Sequence, residues 1–288
     1  MHNMKNAIRN LLIKNANLAL LAVALSQVVE PAGATTTYQV GDGVTNFSFV
    51  ARRQFTRPDG TVVPAGSRVA IRDFAGTIVF LEWFAVWCPY CVAAAPQVET
   101  SIVAYYDTRG GNPYRVPVTH IAVNQEPRSF YQAQTDSFID QQGFRIVVND
   151  YDNTSINAVK ALFNPVGQPV FVVINCLTNS PNHLPWQVLV NYLGYGQTDF
   201  NQTLANFRAV IDTVQSPVTR PLLSALRAVG GHFEFTLGTQ TGHSYRVEAS
   251  TDLLNWSTLS TFTGSTNPIV FRDTNGPPTQ RFYRVVTP

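Results

Sequence analysis

Apolar runs alternate with helix-like stretches from Thr35 to about Val214, and the texture changes beyond that point. Thr77–Phe84 (TIVFLEWF) is nearly all apolar, rich in β-branched and aromatic residues, and bounded by Gly76, which predicts a buried central strand. Val116–Val123 (VPVTHIAV), with Pro117 near its start, predicts a second. Phe144–Val148, Pro169–Asn175 (PVFVVIN) and Val188–Leu193 predict three more. Helical patterns lie between them over roughly Cys88–Asp107, Ser129–Gln142, Thr154–Phe163 and Asp199–Val214. Strands alternating with helices predict an α/β fold, a sheet covered by helices on both faces. Turn signals at Gly41-Asp42-Gly43 and Asp59-Gly60 predict an extra hairpin between Val40 and Asp73, ahead of the core.

From about Gly230 the period shortens. Phe233–Leu237 and Tyr245–Ala249 alternate, and Ser257–Phe262, Ile269–Arg272 and Arg281–Val286 add short strands, which predicts a small all-β, antiparallel sandwich-like domain. So small a domain needs large buried residues, and Trp256 and Tyr283 are the expected anchors. Pro217, Pro221 and a short helix-compatible run mark a linker. The expected division is 35–214 for the α/β domain, 215–229 for the linker and 230–288 for the β module.

The N-terminus reads as an address. Lys5, Arg9 and Lys14 precede the apolar run Leu18–Leu25, and Ala32-Gly33-Ala34 offers small residues for cleavage after Ala34. Residues 1–34 are therefore expected to be a secretory signal peptide, with an uncleaved anchor or a core helix as the alternatives. No later stretch is apolar enough to span a bilayer, so no stable membrane insertion is expected after cleavage. Periplasmic or secreted, cell-surface localisation follows, in a compartment where paired thiols persist as disulfides.

Composition narrows the classes further. Of 288 residues, 45% are hydrophobic and 11% aromatic, ample for a core. Charged residues are only 13%, against a usual ~25%, and the net charge is +2. No basic stripe is present, so no nucleic-acid partner is expected.

Three cysteines stand at Cys88, Cys91 and Cys176. Cys88-Pro89-Tyr90-Cys91 follows a predicted buried strand and opens a predicted helix. Pro89 suits the first helical position. Cys88 then faces unpaired N–H groups and the positive end of the helix dipole, which favours the thiolate, the attacking form. Cys91 lies one turn inward, where it can resolve a mixed disulfide. A zinc site would need a second ligand pair, and Cys176 with His183 is a poor complement, so no metal is expected. Covalent haem would need His where Val92 stands. A peroxidatic thiol would have Thr or Ser where Ala85 stands. A purely structural disulfide remains as the bland alternative.

The segment FLEWFAVWCPYCVAAAP (Phe80–Pro96) resembles thioredoxin-fold thiol–disulfide oxidoreductases, the exported TlpA/ResA-like branch in particular. Trp87 before the first Cys, Pro96 five residues after the second and Glu82 on the preceding strand match that family's pattern. VGDGVTNFSF (Val40–Phe49) with DFAG (Asp73–Gly76) looks like its N-terminal extension, and Gly167-Gln168-Pro169-Val170 like its cis-proline loop. The resemblance covers about Tyr38–Val214. It implies a thioredoxin-like fold whose central mixed sheet is flanked by helices, a redox-active Cys88–Cys91 disulfide, and no cofactor beyond it. It further implies that Glu82 handles the Cys91 proton, and that Trp87, Pro89, Tyr90, Gln168 and Pro169 contact substrate. Core packing is the equal alternative for Trp87.

The departures matter. Ala94 replaces an acidic residue typical of ResA-like cytochrome-maturation proteins, and Val92 a lysine frequent in thioredoxins. Glu82 is the only charged side chain between Ile78 and Val98. With no local cation, modest thiolate stabilisation is expected, which favours a reductase or isomerase over a strong oxidase. Expected partners are protein thiols or disulfides and an upstream redox protein. Cys176 is expected to be a buried, inert thiol, and His120 a satisfied core histidine. The β module resembles a C-terminal module of exported bacterial proteins, for which binding of carbohydrate or envelope and a spacer role both stay open. The rival function is a cell-surface binding protein with that module as its working part.

Overall fold

A computed structural model of the chain describes residues 37–151, 158–195, 199–217, 221–275 and 280–287. The expected signal peptide lies outside them. Four short strands precede the central one: β1 (Ser48–Ala51), the hairpin β2 (Phe55–Thr56) and β3 (Val62–Val63), and β4 (Arg68–Ala70). The predicted extra hairpin is thus present, and in addition β1 joins the main sheet, antiparallel to β4.

β5 (Ile78–Phe84) is buried at all seven positions. Val79, Leu81 and Trp83 face a core layer shared with Phe47, Phe49 and Phe163. Ile78 and Phe80 face the other layer, with Ala94 and Val98. By the alternation of a strand, Glu82 shares this second face. α1 (Pro89–Val98) follows, with Pro89 at its first position. Pro96 has no N–H to give Val92, and three residues later the helix widens to a π-turn over Glu99–Val103 before an α-helical turn at Ala104–Asp107.

β6 (Val118–Asn124) pairs parallel to β5, with Phe80 opposite His120 and Glu82 opposite Ala122. α2 (Gln132–Gln142) stops at Gly143, which takes the left-handed conformation at φ 67°. The next strand, β7, spans Val147–Asn149 rather than Phe144–Val148. Phe144 and Ile146 are spent on the approach, Phe144 wedged between Phe84 and Phe138 without ladder bonds. Of the helix expected over Thr154–Phe163, residues 154–157 lie outside the described part and Lys160–Leu162 form one 3-10 turn. β8 (Val170–Asn175) and β9 (Gln187–Leu193) run antiparallel beyond β5, and α3 (Phe200–Ile211) packs Leu204 and Phe207 on the sheet. The sheet order β4-β1-β7-β6-β5-β8-β9, with α1 leaving β5 and α3 following β9, is a thioredoxin-like fold carrying an N-terminal extension.

Two three-stranded sheets follow, β10-β11-β14 and β13-β12-β15, built from β10 (Leu222–Val229), β11 (His232–Gly238), β12 (Ser244–Ser250), β13 (Ser257–Thr263), β14 (Ile269–Asp273) and β15 (Phe282–Val286). Leu222–Val229 was expected in the linker; it is a strand because Gly230 and Gly231, at φ 55° and 78°, close a two-residue hairpin onto β11. Trp256 is not a core anchor either. Its indole lies half-exposed under the Arg284 guanidinium, 4.2 Å from the ring centre. Phe235, Leu237 and Val247 form the core, and Tyr245 is fully buried. Tyr283 stacks on Phe233 at 4.8 Å and donates to Asp273.

Thr37–Pro288 form one contact unit. Ser216 donates to the Tyr114 carbonyl and meets His243 at 3.1 Å, so the β sheets lean on the 112–116 loop of the α/β part. None of these contacts involves a strand of the main sheet or either cysteine of the C-P-Y-C segment. A chain ending at Gln215 is therefore expected to fold and to keep most thiol exchange with small disulfides, measured by a dithiol-dependent colour assay. Unfolding of that chain would make the β sheets part of the core architecture.

Candidate active site

Cys88 occupies the N-cap of α1, and its Sγ accepts the N–H of Cys91 at 3.2 Å. Both thiols are free and both are buried, Cys91 completely and Cys88 almost so. They differ in electrostatics. The Cys88 thiol is lowered from 9.0 to about 7, chiefly by a hydrogen bond from the Cys91 thiol, with burial opposing and the N–H groups of Cys91 and Tyr90 and the Gln168 amide adding to it. Burial, and then the Cys88 sulfur, push Cys91 far up. One thiol is half ionised at neutral pH and its neighbour holds its proton. The Cys88 alkylation rate is therefore expected to rise through pH 7 and level off about one unit above, checked by iodoacetamide kinetics. The sign for stability follows: the thiolate favours the reduced fold above pH 9, and this gain is lost as pH falls through about 7.

Glu82 is fully buried beneath this helix, with Oε1 unpartnered among the described residues and Oε2 3.0 Å from His120 Nε2. His120 was read from sequence as a satisfied core histidine. The residue is half-buried, its side chain 6% exposed, and the partner of its Nε2 is the candidate proton acceptor. Its ring sits between Phe80 and Phe144, at 6.0 and 5.5 Å, and lines a surface cavity of about 390 Å³ with Glu99 and Arg145. The π-turn brings Glu99 to this cavity, where burial raises its carboxyl and His120 and Arg145 oppose the rise.

The rim gathers the predicted contact residues. Trp87 is 46% exposed, so it is not core; its Nε1 donates to Glu126 and Arg128 lies over its ring face at 5.8 Å. Arg128 holds the buried Glu126 carboxyl below its usual range. Tyr90 is exposed, 6.3 Å from Tyr195. Gly167 takes φ 69°, and the Gln168–Pro169 peptide is cis. Gln168 accepts from Gln125 at 2.7 Å. Val92, Phe130 and Val166 are exposed apolar groups.

One buried cation, Lys160, lies outside the Ile78–Val98 stretch in which none was expected. Burial lowers Lys160, and Asp150, Cys91 and Cys88 pull it back up. Its place, some 70 residues downstream of the cysteines, gives no local signal. Glu126, Gln125 and Lys160 were all missed. His120 had a signal: it is a polar residue in an apolar strand whose neighbour, at like parity, carries Glu82. Cys176 is fully buried, its thiol pushed up by burial. Among the described residues, no group of three His, Cys, Asp or Glu could hold a metal, and no helix is long and apolar enough to cross a membrane.

No protein-family model matches the chain, and no curated protein matches it. Among solved structures, the chain is similar to a thio-disulfide isomerase from Thermus thermophilus, at 14% identity and a TM-score of 0.40 over 62% of this chain and 100% of that one. It is similar to a thiol:disulfide interchange protein from a Bacteroides species, at 12% and 0.40 over 62% and 93%. A secreted disulfide oxidoreductase of Mycobacterium tuberculosis gives 19% and 0.33 over 54% and 96%.

Proposed function

We propose that this chain is an exported thiol–disulfide oxidoreductase that reduces or isomerises disulfides of protein substrates. The observation that carries the reading is the asymmetry of two cysteines one turn apart at a helix N-terminus: Cys88 eased toward thiolate, Cys91 buried and protonated above a carboxylate. The Cys88 thiolate attacks a substrate disulfide, forming an S–S bond to Cys88 and releasing one substrate thiolate. Cys91 then attacks Cys88 Sγ, its proton passing to Glu82. The Cys88–Cys91 bond forms, the second substrate thiolate leaves, and two electrons have moved to the substrate. A dithiol partner must return them. His120 is the polar group through which the Glu82 proton reaches the cavity.

A Cys88 value near 7 supports the reducing or isomerising direction, since strongly oxidising dithiols hold their thiolate down to about 3.5. The exposed rim of Trp87, Tyr90, Val92 and Val166 suits an extended, partly unfolded chain. Insulin reduction by the full-length protein tests the reading. No exchange with insulin, small disulfides or any dithiol partner would favour the β sheets as the working part of a binding protein. Measuring the reduction potential of the pair then fixes the direction of electron flow.

A further inference from the structure

The two ring nitrogens of His120 have different surroundings. Nε2 lies 3.0 Å from Glu82 Oε2. Nδ1 has no hydrogen-bond partner among the described residues, and the ring lines the cavity of about 390 Å³. That cavity stands away from the rim. Its β6 residues, Val118–His120, pair with Ile78–Phe80, and Phe80 precedes the end of β5 at Phe84 by about 13 Å of strand. A substrate bonded to Cys88 covers the rim and leaves this opening free. The arginines that line the cavity are both paired, Arg57 with Asp73 at 2.9 Å and Arg145 with Asp107. The Glu99 carboxyl has no ion pair or hydrogen bond among the described residues.

A charged imidazole donates from both nitrogens. Nε2–H then holds Oε2 of the Glu82 carboxylate, and Nδ1–H serves the cavity. Oε1 of Glu82 is the free oxygen, so the Cys91 proton arrives there. Its arrival removes the carboxylate charge that balanced the imidazolium. The ring answers by losing its Nδ1 proton, while Nε2–H stays on Oε2. One proton enters the pair and one leaves it, and the pair carries no net charge before or after. An unpaired buried ion, which would be costly, is thus avoided. When a dithiol partner reduces the Cys88–Cys91 bond, the steps run backward: Cys91 takes the Oε1 proton and Nδ1 recovers one from the cavity.

We propose that this cavity is the proton port of the active site, in which His120 releases its Nδ1 proton as Glu82 receives the Cys91 proton, and Glu99 is the carboxylate that accepts it and passes it to water. This rests on Glu82 being the base for Cys91. His120 and Glu99 act through Glu82, as positioning residues for its proton. The charged groups that face the His120 ring are Glu82 from β5, Glu99 and Asp107 from the turns after α1, Arg57 from the β2–β3 hairpin, and Arg145 from the segment between α2 and β7. With Asp107 held by Arg145, Glu99 is the lining carboxyl left to take a proton. Burial raises that carboxyl, which makes it a better acceptor than a solvated one, and His120 and Arg145 oppose the rise. The cavity is roomy enough for water to bridge ring and carboxylate.

The test uses the full-length reduced protein with Glu99→Gln, His120→Gln and the double variant, mixed in stopped flow with the disulfide of thionitrobenzoate. One coloured thionitrobenzoate leaves when Cys88 attacks and a second when Cys91 resolves, so the two steps are timed separately. Glutamine at position 120 keeps a polar end for Glu82 and cannot carry a proton, and thermal unfolding shows which variants fold. Near neutral pH, Glu99→Gln is expected to slow the second phase about three- to tenfold and His120→Gln about tenfold, with the first phase unchanged. The double variant should be no slower than His120→Gln, because both residues lie on one path. Imidazole, small enough to enter the cavity, should restore the second phase of Glu99→Gln as its concentration rises, and a bulky morpholine sulfonate of like basicity should not. An unmoved second phase in folded Glu99→Gln, multiplied losses in the double variant, or equal rescue by both buffers would overturn the proposal. If His120→Gln does not fold, Glu99→Gln and its rescue decide alone. A wild type that shows both phases yet reduces no insulin would sink the functional reading and leave the port standing, whereas one without a second phase would overturn both.

Discussion

Cys88→Ser is expected to abolish insulin reduction, by at least about 10³-fold, because no other thiol can take over the attack. Cys91 is fully buried and holds its proton; Cys176 is fully buried and distant in sequence, its thiol likewise pushed up. Cys91→Ser should behave differently. The first attack survives, because the N–H that Cys91 donates to Cys88 Sγ belongs to the backbone. The attack should weaken near neutral pH, since the Cys91 thiol is the largest single influence lowering Cys88. Resolution is lost, so the protein should accumulate as a mixed disulfide through residue 88, visible on a non-reducing gel and mapped by mass spectrometry. Trapping through residue 91 in Cys88→Ser, in equal or greater yield, would reverse the roles.

Local features were legible in the sequence, and those assembled across strands were not. The strand Ile78–Phe84, the cap at Cys88 and the proline at Pro89 are consecutive, and their chemistry follows from their neighbours in the chain. His120, Gln125 and Glu126 belong to the next strand and its exit, and meet Glu82, Gln168 and Trp87 only through the parallel register that sets Glu82 beside Ala122. Lys160 depends on the path of a long connection. The strand Leu222–Val229 was missed for a different reason. Its leucine- and alanine-rich composition fits a helix, and the Gly230-Gly231 turn that overrides it needs a partner strand to take effect. Trp256 shows that size alone does not bury a side chain; Arg284, from β15, covers its face instead.

Glu82→Gln should slow resolution of the mixed disulfide about a hundredfold while the initial attack by Cys88 changes little. The carboxylate lies under the helix that carries Cys91 and acts on that thiol electrostatically, whereas the first attack needs only a thiolate that already exists near neutral pH. Without it the Cys91 proton must go to hydroxide, so the variant's resolution rate should climb about tenfold per pH unit, and the wild type should climb less steeply. Rapid-quench kinetics of a preformed mixed disulfide would show the difference. Equal rates and equal slopes in both proteins would leave Glu82 a structural residue. Stability separates the two roles further. Glutamine keeps a polar atom for His120 and removes a buried charge whose Oε1 has no partner, so Glu82→Gln should unfold no more easily than wild type and be stabilised by about 1 kcal/mol. His120→Phe, by contrast, takes away the one group bonded to that carboxylate and should destabilise the fold by about 3 kcal/mol. Combining the two changes should recover most of that loss, because the stranded charge is then gone. Recovery of stability without recovery of the resolution rate is the result that assigns the pair to proton handling, with the buried carboxylate tolerated by the fold for the sake of the reaction.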